Sequence, residues 1–291
     1  MAAVRRTVVV HRQIVENGVS VDDFPQPGKL DSADGVVRAI ALPPIGDGIQ
    51  LWWTILDRPR EEVEMLARNL SRAEIARAQR FGTEPLRLRW IVGRSTLRQL
   101  LGRALGLAPS AVILARGRRG RPEVAQQVAN GVPNYVENEG ASPQDWTAID
   151  FNVSHTRGMA LIGIATDWPA GKRIGVDVEH GDREVNADGL ARKFLSARER
   201  AALAPMEADQ RRHGFLRHWT CKEAMSKATG DALSAPFRQL DVTVDGNLAL
   251  VAGPPPYVPA DWTLRAVAMP DGFIATVALW HPDQVNVARS P

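Results

Sequence analysis

Twice along the chain a leucine and a serine are followed, three residues after the serine, by a glutamate: Leu70-Ser71-Arg-Ala-Glu74 and Leu195-Ser196-Ala-Arg-Glu199. In each, the serine oxygen can accept from the third helical N–H while the glutamate reaches back to the serine N–H, so both mark the start of a helix. An apolar strand precedes each start, Ile49 to Leu56 in the first case and Arg173 to Glu179 in the second. A long helix follows each, from Arg87 to Leu105 with a stop at Gly106, and from His213 to Thr229 with a stop at Gly230. Short strands come next. In the first half they are Ala111 to Ala115, Ile149 to Val153 and Met159 to Ala165, with Ser154-His155-Thr156-Arg157-Gly158 between the last two. In the second half they are Leu240 to Val244, Leu248 to Val251, Trp262 to Ala268 and Phe273 to Trp280. The order strand, capped helix, long helix, strands therefore occurs twice. The expected fold is α+β, a pseudo-two-fold duplication of a small mixed sheet packed with helices.

The expected layout has a peripheral extension over 1–47, an N-terminal half over 48–172 and a C-terminal half over 173–291. Residues 124–146 read as a long polar loop. The 291 residues suit two tightly joined halves, and 44% hydrophobic with 24% charged residues suits a globular core. A single cysteine, Cys221, excludes an intrachain disulfide and favours the cytosol. The apolar run Thr7 to Val10 is too short for a signal-peptide core, and no stretch reaches the ~20 apolar residues of a membrane span. The expectation is a soluble cytoplasmic monomer. A net charge of +3 is compatible with an anionic ligand without requiring one.

Asp177 and Glu179 lie two apart on a strand, so their side chains leave the same face while Val176 and Val178 take the other. Alone, that pair reads as a solvated strand face rather than a cation site. On the second long helix, Phe215, Leu216 and Trp219 mark a buried stripe, and steps of three and four extend it to Glu223, Ser226 and Lys227. A carboxylate and an ammonium on a face that should be core need a partner. Three carboxylates meeting at one point would suit Mg²⁺, with Mn²⁺ as an alternative ion, because such ions take a few protein oxygens and complete their shell with water and substrate phosphate. Nothing in the sequence offers a His/Cys zinc cluster, a P-loop or a glycine fingerprint for dinucleotides. Cys221 has no base partner and reads as helix packing.

Three segments together resemble the signature of Sfp-type 4'-phosphopantetheinyl transferases: Ile174-Gly-Val-Asp-Val-Glu179, Phe194-Leu-Ser-Ala-Arg-Glu199 and Trp219-Thr-Cys-Lys-Glu-Ala-Met-Ser-Lys227. Phe151-Asn-Val-Ser-His155, Gly120-Arg-Pro122 and the basic segment Arg77 to Phe81 extend the likeness over roughly residues 48–245. The resemblance implies a transferase that moves phosphopantetheine from coenzyme A to a serine of an apo acyl or peptidyl carrier protein. It implies metal ligation by Asp177, Glu179 and Glu223. It makes Glu223 a general base and Lys227 a contact to the transferred phosphate. Ser154, His155 and Arg121 become contacts to coenzyme A phosphates, and Lys222 a further coenzyme A contact. Two departures stand out. The turn lysine of the family is Arg121, and a lysine expected early in the basic helix is Glu74, which leaves Arg77, Arg89 or Arg121 to hold the 3'-phosphate. Two rivals are a coenzyme A-binding protein of the same fold without turnover, and a DNA minor-groove binder acting through Arg116 to Pro122. Nucleic acid and membrane partners are not expected.

Overall fold

The computed structural model describes residues 38–125 and 148–282. The predicted loop over 124–146 lies almost wholly outside them, as does most of the extension over 1–47. What is described of that extension contains a strand, β1 (Ala39–Ala41). It pairs antiparallel with β2 (Ile49–Ile55). Three helices follow: α1 (Arg60–Ala67), α2 (Arg72–Ala78) and α3 (Glu84–Leu105). Next come a hairpin of β3 (Leu114–Arg116) and β4 (Pro122–Val124), then β5 (Asp150–Thr156) and β6 (Met159–Ala165).

The second half repeats the plan. β7 (Arg173–His180) leads into α4 (Ala187–Phe194), α5 (Ala197–Leu203) and α6 (Ala208–Thr229). A hairpin of β8 (Asp241–Thr243) and β9 (Ala249–Ala252) precedes β10 (Trp262–Ala266) and β11 (Phe273–Trp280). The first sheet runs β1-β2-β6-β5 and the second β10-β11-β7, all neighbours antiparallel. In both halves the leading strand pairs with the last strand, which pairs with the one before it. The duplication read from the sequence is thus present in the order of elements and in the sheet topology.

Both serine–glutamate boxes form as expected, Ser71 with Glu74 and Ser196 with Glu199. Both long helices end on a glycine in the left-handed region, Gly106 at φ 67° and Gly230 at φ 81°. α6 begins at Ala208, five residues before the expected His213. The apolar stripe cannot reveal those residues because Ala208-Asp-Gln-Arg-Arg212 carries almost nothing to bury.

Strand alternation organises the layers. Leu51, Leu161, Ile174, Val176, Val178 and Val277 turn inward, and one core fills the space between the two sheets. On the other side of the first sheet, Leu97, Leu101 and Leu105 of α3 pack on Phe151, Ile162 and Ile164. On the other side of the second, Cys221, Ala224 and Met225 of α6 pack with Leu264 and Ala278. The order is helix, sheet, sheet, helix. Among the described residues no helix is long and apolar enough to cross a membrane.

Candidate active site

The site forms where α6 lies across β7. Gly175 sets how close they come: a Cβ there would stand 1.9 Å from the Ala224 carbonyl oxygen. Only hydrogen fits, so the helix backbone rests on the strand and the residues flanking Ala224 reach those flanking Gly175. The α6-facing side of β7 continues with Asp177 and Glu179. Both are buried, at 4% and 8% exposure, which rules out a solvated strand face.

Asp177 Oδ1 accepts from Lys227 Nζ at 2.6 Å and from Ser154 Oγ at 2.8 Å. Lys227 Nζ also donates to Ser154 Oγ at 2.8 Å. The other oxygen, Asp177 Oδ2, is buried without a hydrogen-bond partner, and so is Glu223 Oε1. Burial pushes the Glu223 carboxyl up to about 7; Asp177 and then Glu179 add to the rise, and Lys227 opposes it. Glu179 is raised by burial and by Asp177, against the pull of Arg183, which pairs with it. Asp177, Glu179, Glu223 and Lys227 therefore share one electrostatic neighbourhood.

Two orphaned buried carboxylate oxygens in one neighbourhood are a cation-seeking arrangement, since each lacks the donor that burial demands. Oxygen donors are the set Mg²⁺ takes. Asp177 and Glu223 fit such an ion. Glu179 is held by Arg183, and among the described residues no three Asp, Glu, His or Cys side chains close about one point.

Ser154 and His155 separate. The sequence reading put them in a turn between two strands, but β5 runs through both, and consecutive strand residues point to opposite faces. Ser154 turns to β7. His155 turns to α3, where its Nε2 lies 3.1 Å from the position a Cβ on Gly93 would take. The imidazole is open to solvent yet crowded by protein. That crowding, and then the charge of Lys227, push its pKa down, so the ring is neutral near pH 7; solvent contact softens the effect without reversing it. Arg89 pairs with Asp57 at 2.7 Å one helical turn before Gly93. Arg77 is exposed, with its guanidinium 6.0 Å from the Trp90 ring centre.

Two expected coenzyme A contacts are corrected. Arg121 is buried and each of its three nitrogens donates within the protein: Nη1 and Nη2 grip Asp150 at 2.8 and 2.9 Å, Nη2 reaches the carbonyls of Phe151 and Ile174, and Nε that of Lys227. It ties the β3–β4 turn to β5, β7 and α6 and is 7% exposed, so it is enclosed by protein. Lys222 is fully buried, bridged to Glu199 at 2.6 Å and bonded to the carbonyls of Phe194, Phe237 and Leu240. A lysine so enclosed cannot meet a ligand. The minor-groove reading loses Arg121, which is internal, while Arg119 pairs with Asp231.

Sequence reasoning missed Arg183, the packing role of Gly175 and the bonds that the β5 side chains make to β7. Asp150 Oδ2, Asn152 Oδ1 and Ser154 Oγ accept from the backbone N–H groups of Ile174, Val176 and Val178 at 2.7, 3.0 and 3.3 Å. These rungs satisfy the free edge of β7 and join the two sheets. Their signal was legible: Asp150, Asn152 and Ser154 alternate with Phe151 and Val153. A cavity of about 680 Å³, lined by His213, Arg217 and the β8–β9 turn, opens on another face of α6 and takes no part in this site.

The sequence model of the 4'-phosphopantetheinyl transferase superfamily matches residues 173–277, which hold β7 through most of β11. The chain is 31% identical over 242 residues to the 4'-phosphopantetheinyl transferase HetI of a Nostoc species, covering 82% of this chain and 92% of that one. It is 26% identical over 200 residues to the 4'-phosphopantetheinyl transferase psf-1 of Bacillus pumilus, covering 68% and 70%. Among solved structures, the holo-[acyl-carrier-protein] synthase of Thermotoga maritima matches 38% of this chain and 62% of that one, at 19% identity and a TM-score of 0.30. With a relative above 30% identity along most of its length, this chain belongs to the 4'-phosphopantetheinyl transferase superfamily.

Proposed function

We propose that this protein transfers 4'-phosphopantetheine from coenzyme A to a serine of an apo acyl or peptidyl carrier protein, releasing 3',5'-ADP, with Mg²⁺ or Mn²⁺ held by Asp177 and Glu223. The observation that carries the reading is the pair of orphaned carboxylate oxygens, Asp177 Oδ2 and Glu223 Oε1, beside the Lys227 ammonium. Glu179 would hold the ion with them once released from Arg183. The ion, when bound, neutralises the pyrophosphate.

The reaction asks for positioning and charge neutralisation. The serine Oγ attacks the β-phosphorus, an O–P bond forms, and the bond to the departing 3',5'-ADP breaks. Glu223 takes the serine proton. Lys227 neutralises charge that develops on the phosphoryl oxygens. Coenzyme A lies between the halves, its 3'-phosphate on the α3 side near His155, Arg89 and Arg77. Arg89 exchanges Asp57 for that phosphate, and the neutral His155 contributes a hydrogen bond rather than a charge. The duplication lets one chain supply both sides of the site, so the working form is a monomer.

Incubation of the purified chain with coenzyme A, Mg²⁺ and an apo carrier protein, read by intact-mass analysis, tests the reading. A gain of one phosphopantetheine on the carrier is expected. Coenzyme A binding without that gain would assign the chain to the non-transferring alternative.

A further inference from the structure

The mechanism leaves Ser154 without a task. At 2% exposure it is buried, and it lies on the opposite side of β5 from His155. A hydroxyl offers one donor and two acceptor sites. Here the donor goes to Asp177 Oδ1, and the acceptors serve Lys227 Nζ and the Val178 N–H. All three of its hydrogen-bonding sites are engaged where the two halves meet.

We propose that Ser154 is a positioning residue that fixes Asp177 and Lys227 across the junction of the two halves. The inference rests on the transferase reading. Ser154 is the third rung of the β5–β7 ladder. The first two rungs, Asp150 and Asn152, set the register of β7 through its backbone alone. The third grips the backbone and the site side chains together. Two donors, Ser154 Oγ and Lys227 Nζ, converge on Asp177 Oδ1, and that pins the carboxylate so that Oδ2 is the oxygen left free. Without the hydroxyl the carboxylate keeps one anchor instead of two and can rotate about its Cβ–Cγ bond. Lys227 then shifts with it. Serine thereby decides which oxygen of Asp177 faces the reaction.

The test uses the full chain with Ser154→Ala and Ser154→Thr. Steady-state transfer gives kcat and KM for coenzyme A, and calorimetry without divalent ion gives coenzyme A affinity independently of turnover. A positioning role lowers kcat of Ser154→Ala by about tenfold or more while coenzyme A affinity stays within about twofold, and Ser154→Thr, which keeps the hydroxyl, recovers most of the rate. Weakened coenzyme A binding with kcat intact would make Ser154 a ligand contact and overturn the proposal. So would an unchanged kcat in Ser154→Ala, or a threonine variant as slow as the alanine one. Should Ser154→Ala fail to fold, Ser154→Cys against Ser154→Thr decides, and equal rates overturn the proposal. An inactive unaltered chain strikes the transferase reading itself, whereas an active one with an indifferent Ser154→Ala strikes only this inference.

Discussion

α3 in the first half and α6 in the second are both 22 residues long, beginning at 84 and 208, so Arg98 and Lys222 hold the same place in each. Both are buried cations that reach back to the glutamate of their own capping box, Arg98 to Glu74 at 2.8 Å and Lys222 to Glu199 at 2.6 Å. Both also bond the carbonyls of the segment after the helix: Arg98 those of Pro109 and Val112, Lys222 those of Phe237 and Leu240. This ion pair therefore belongs to the repeated scaffold. One residue on, the halves part: Gln99 in the first, Glu223 in the second. The α3-facing side of β2 carries Trp52, packed on the α3 core, whereas the α6-facing side of β7 carries Asp177 and Glu179. One copy kept a filled interior and the other exchanged it for charge. A motif lysine inside the repeat plan is scaffold, and chemistry is sought where the copies differ.

Glu223→Gln gives the largest expected effect on that contrast. It removes the base and one orphaned oxygen, so transfer should fall by about 10²–10⁴ while the far-ultraviolet spectrum stays native. A wild-type rate would return the chemistry to some other group. Gly175→Ala tests the same site through packing: its Cβ would collide with the Ala224 carbonyl, so α6 must lift from β7 and both stability and transfer should drop. Native activity in that variant would break the account of how strand and helix meet.

Lys222→Ala should destabilise the protein by about 3–5 kcal/mol in denaturant titrations, because it leaves buried Glu199 without a cation, and Arg98→Ala should cost less, because Arg94 still pairs with Glu74. A stable Lys222→Ala with weakened coenzyme A binding would undo the equivalence and reinstate the ligand contact.

The halves should also differ with pH. The folded pKa of Glu223, about 7, stands above the ordinary carboxylate value, so the folded state holds an extra proton between about 4.5 and 7. Its contribution to stability is present below that window and is lost as pH rises through it. In metal-free protein the melting temperature of the unaltered chain, relative to Glu223→Gln, should fall from pH 5 to pH 8. A constant difference would remove the raised pKa. Smallest of all, Ser71→Ala and Ser196→Ala should each cost about 1 kcal/mol, since both boxes form alike. A large inequality between them would show that one box carries more than its helix start.

Much of this plan was legible locally. The paired boxes, the terminal glycines and the alternating strands use contacts within a few residues, and such contacts are written in spacing. The convergence of Asp177, Glu223 and Lys227 was legible from two spacings at once, every second residue on a strand and every third or fourth on a helix. Glu74 shows the limit. It stands where a ligand-binding lysine was expected, yet burial, which would raise its pKa, is outweighed by the Ser71 N–H and by Arg94 and Arg98, and it is lowered. Nothing near Glu74 in the chain names Arg94 or Arg98.

By itself the sequence determined the duplication, the helix starts and stops, and the residue types gathered at the site, because short-range hydrogen bonding and side-chain periodicity depend only on neighbours in the chain. Tertiary structure alone decided the fates of the basic and hydroxyl groups. Arg121 and Lys222 have the composition of phosphate ligands, but carbonyls and carboxylates from distant segments enclose them. Ser154 and His155 are adjacent in the chain and part at the strand. Whether such a donor is enclosed or left within reach of a ligand is settled by which segments pack together.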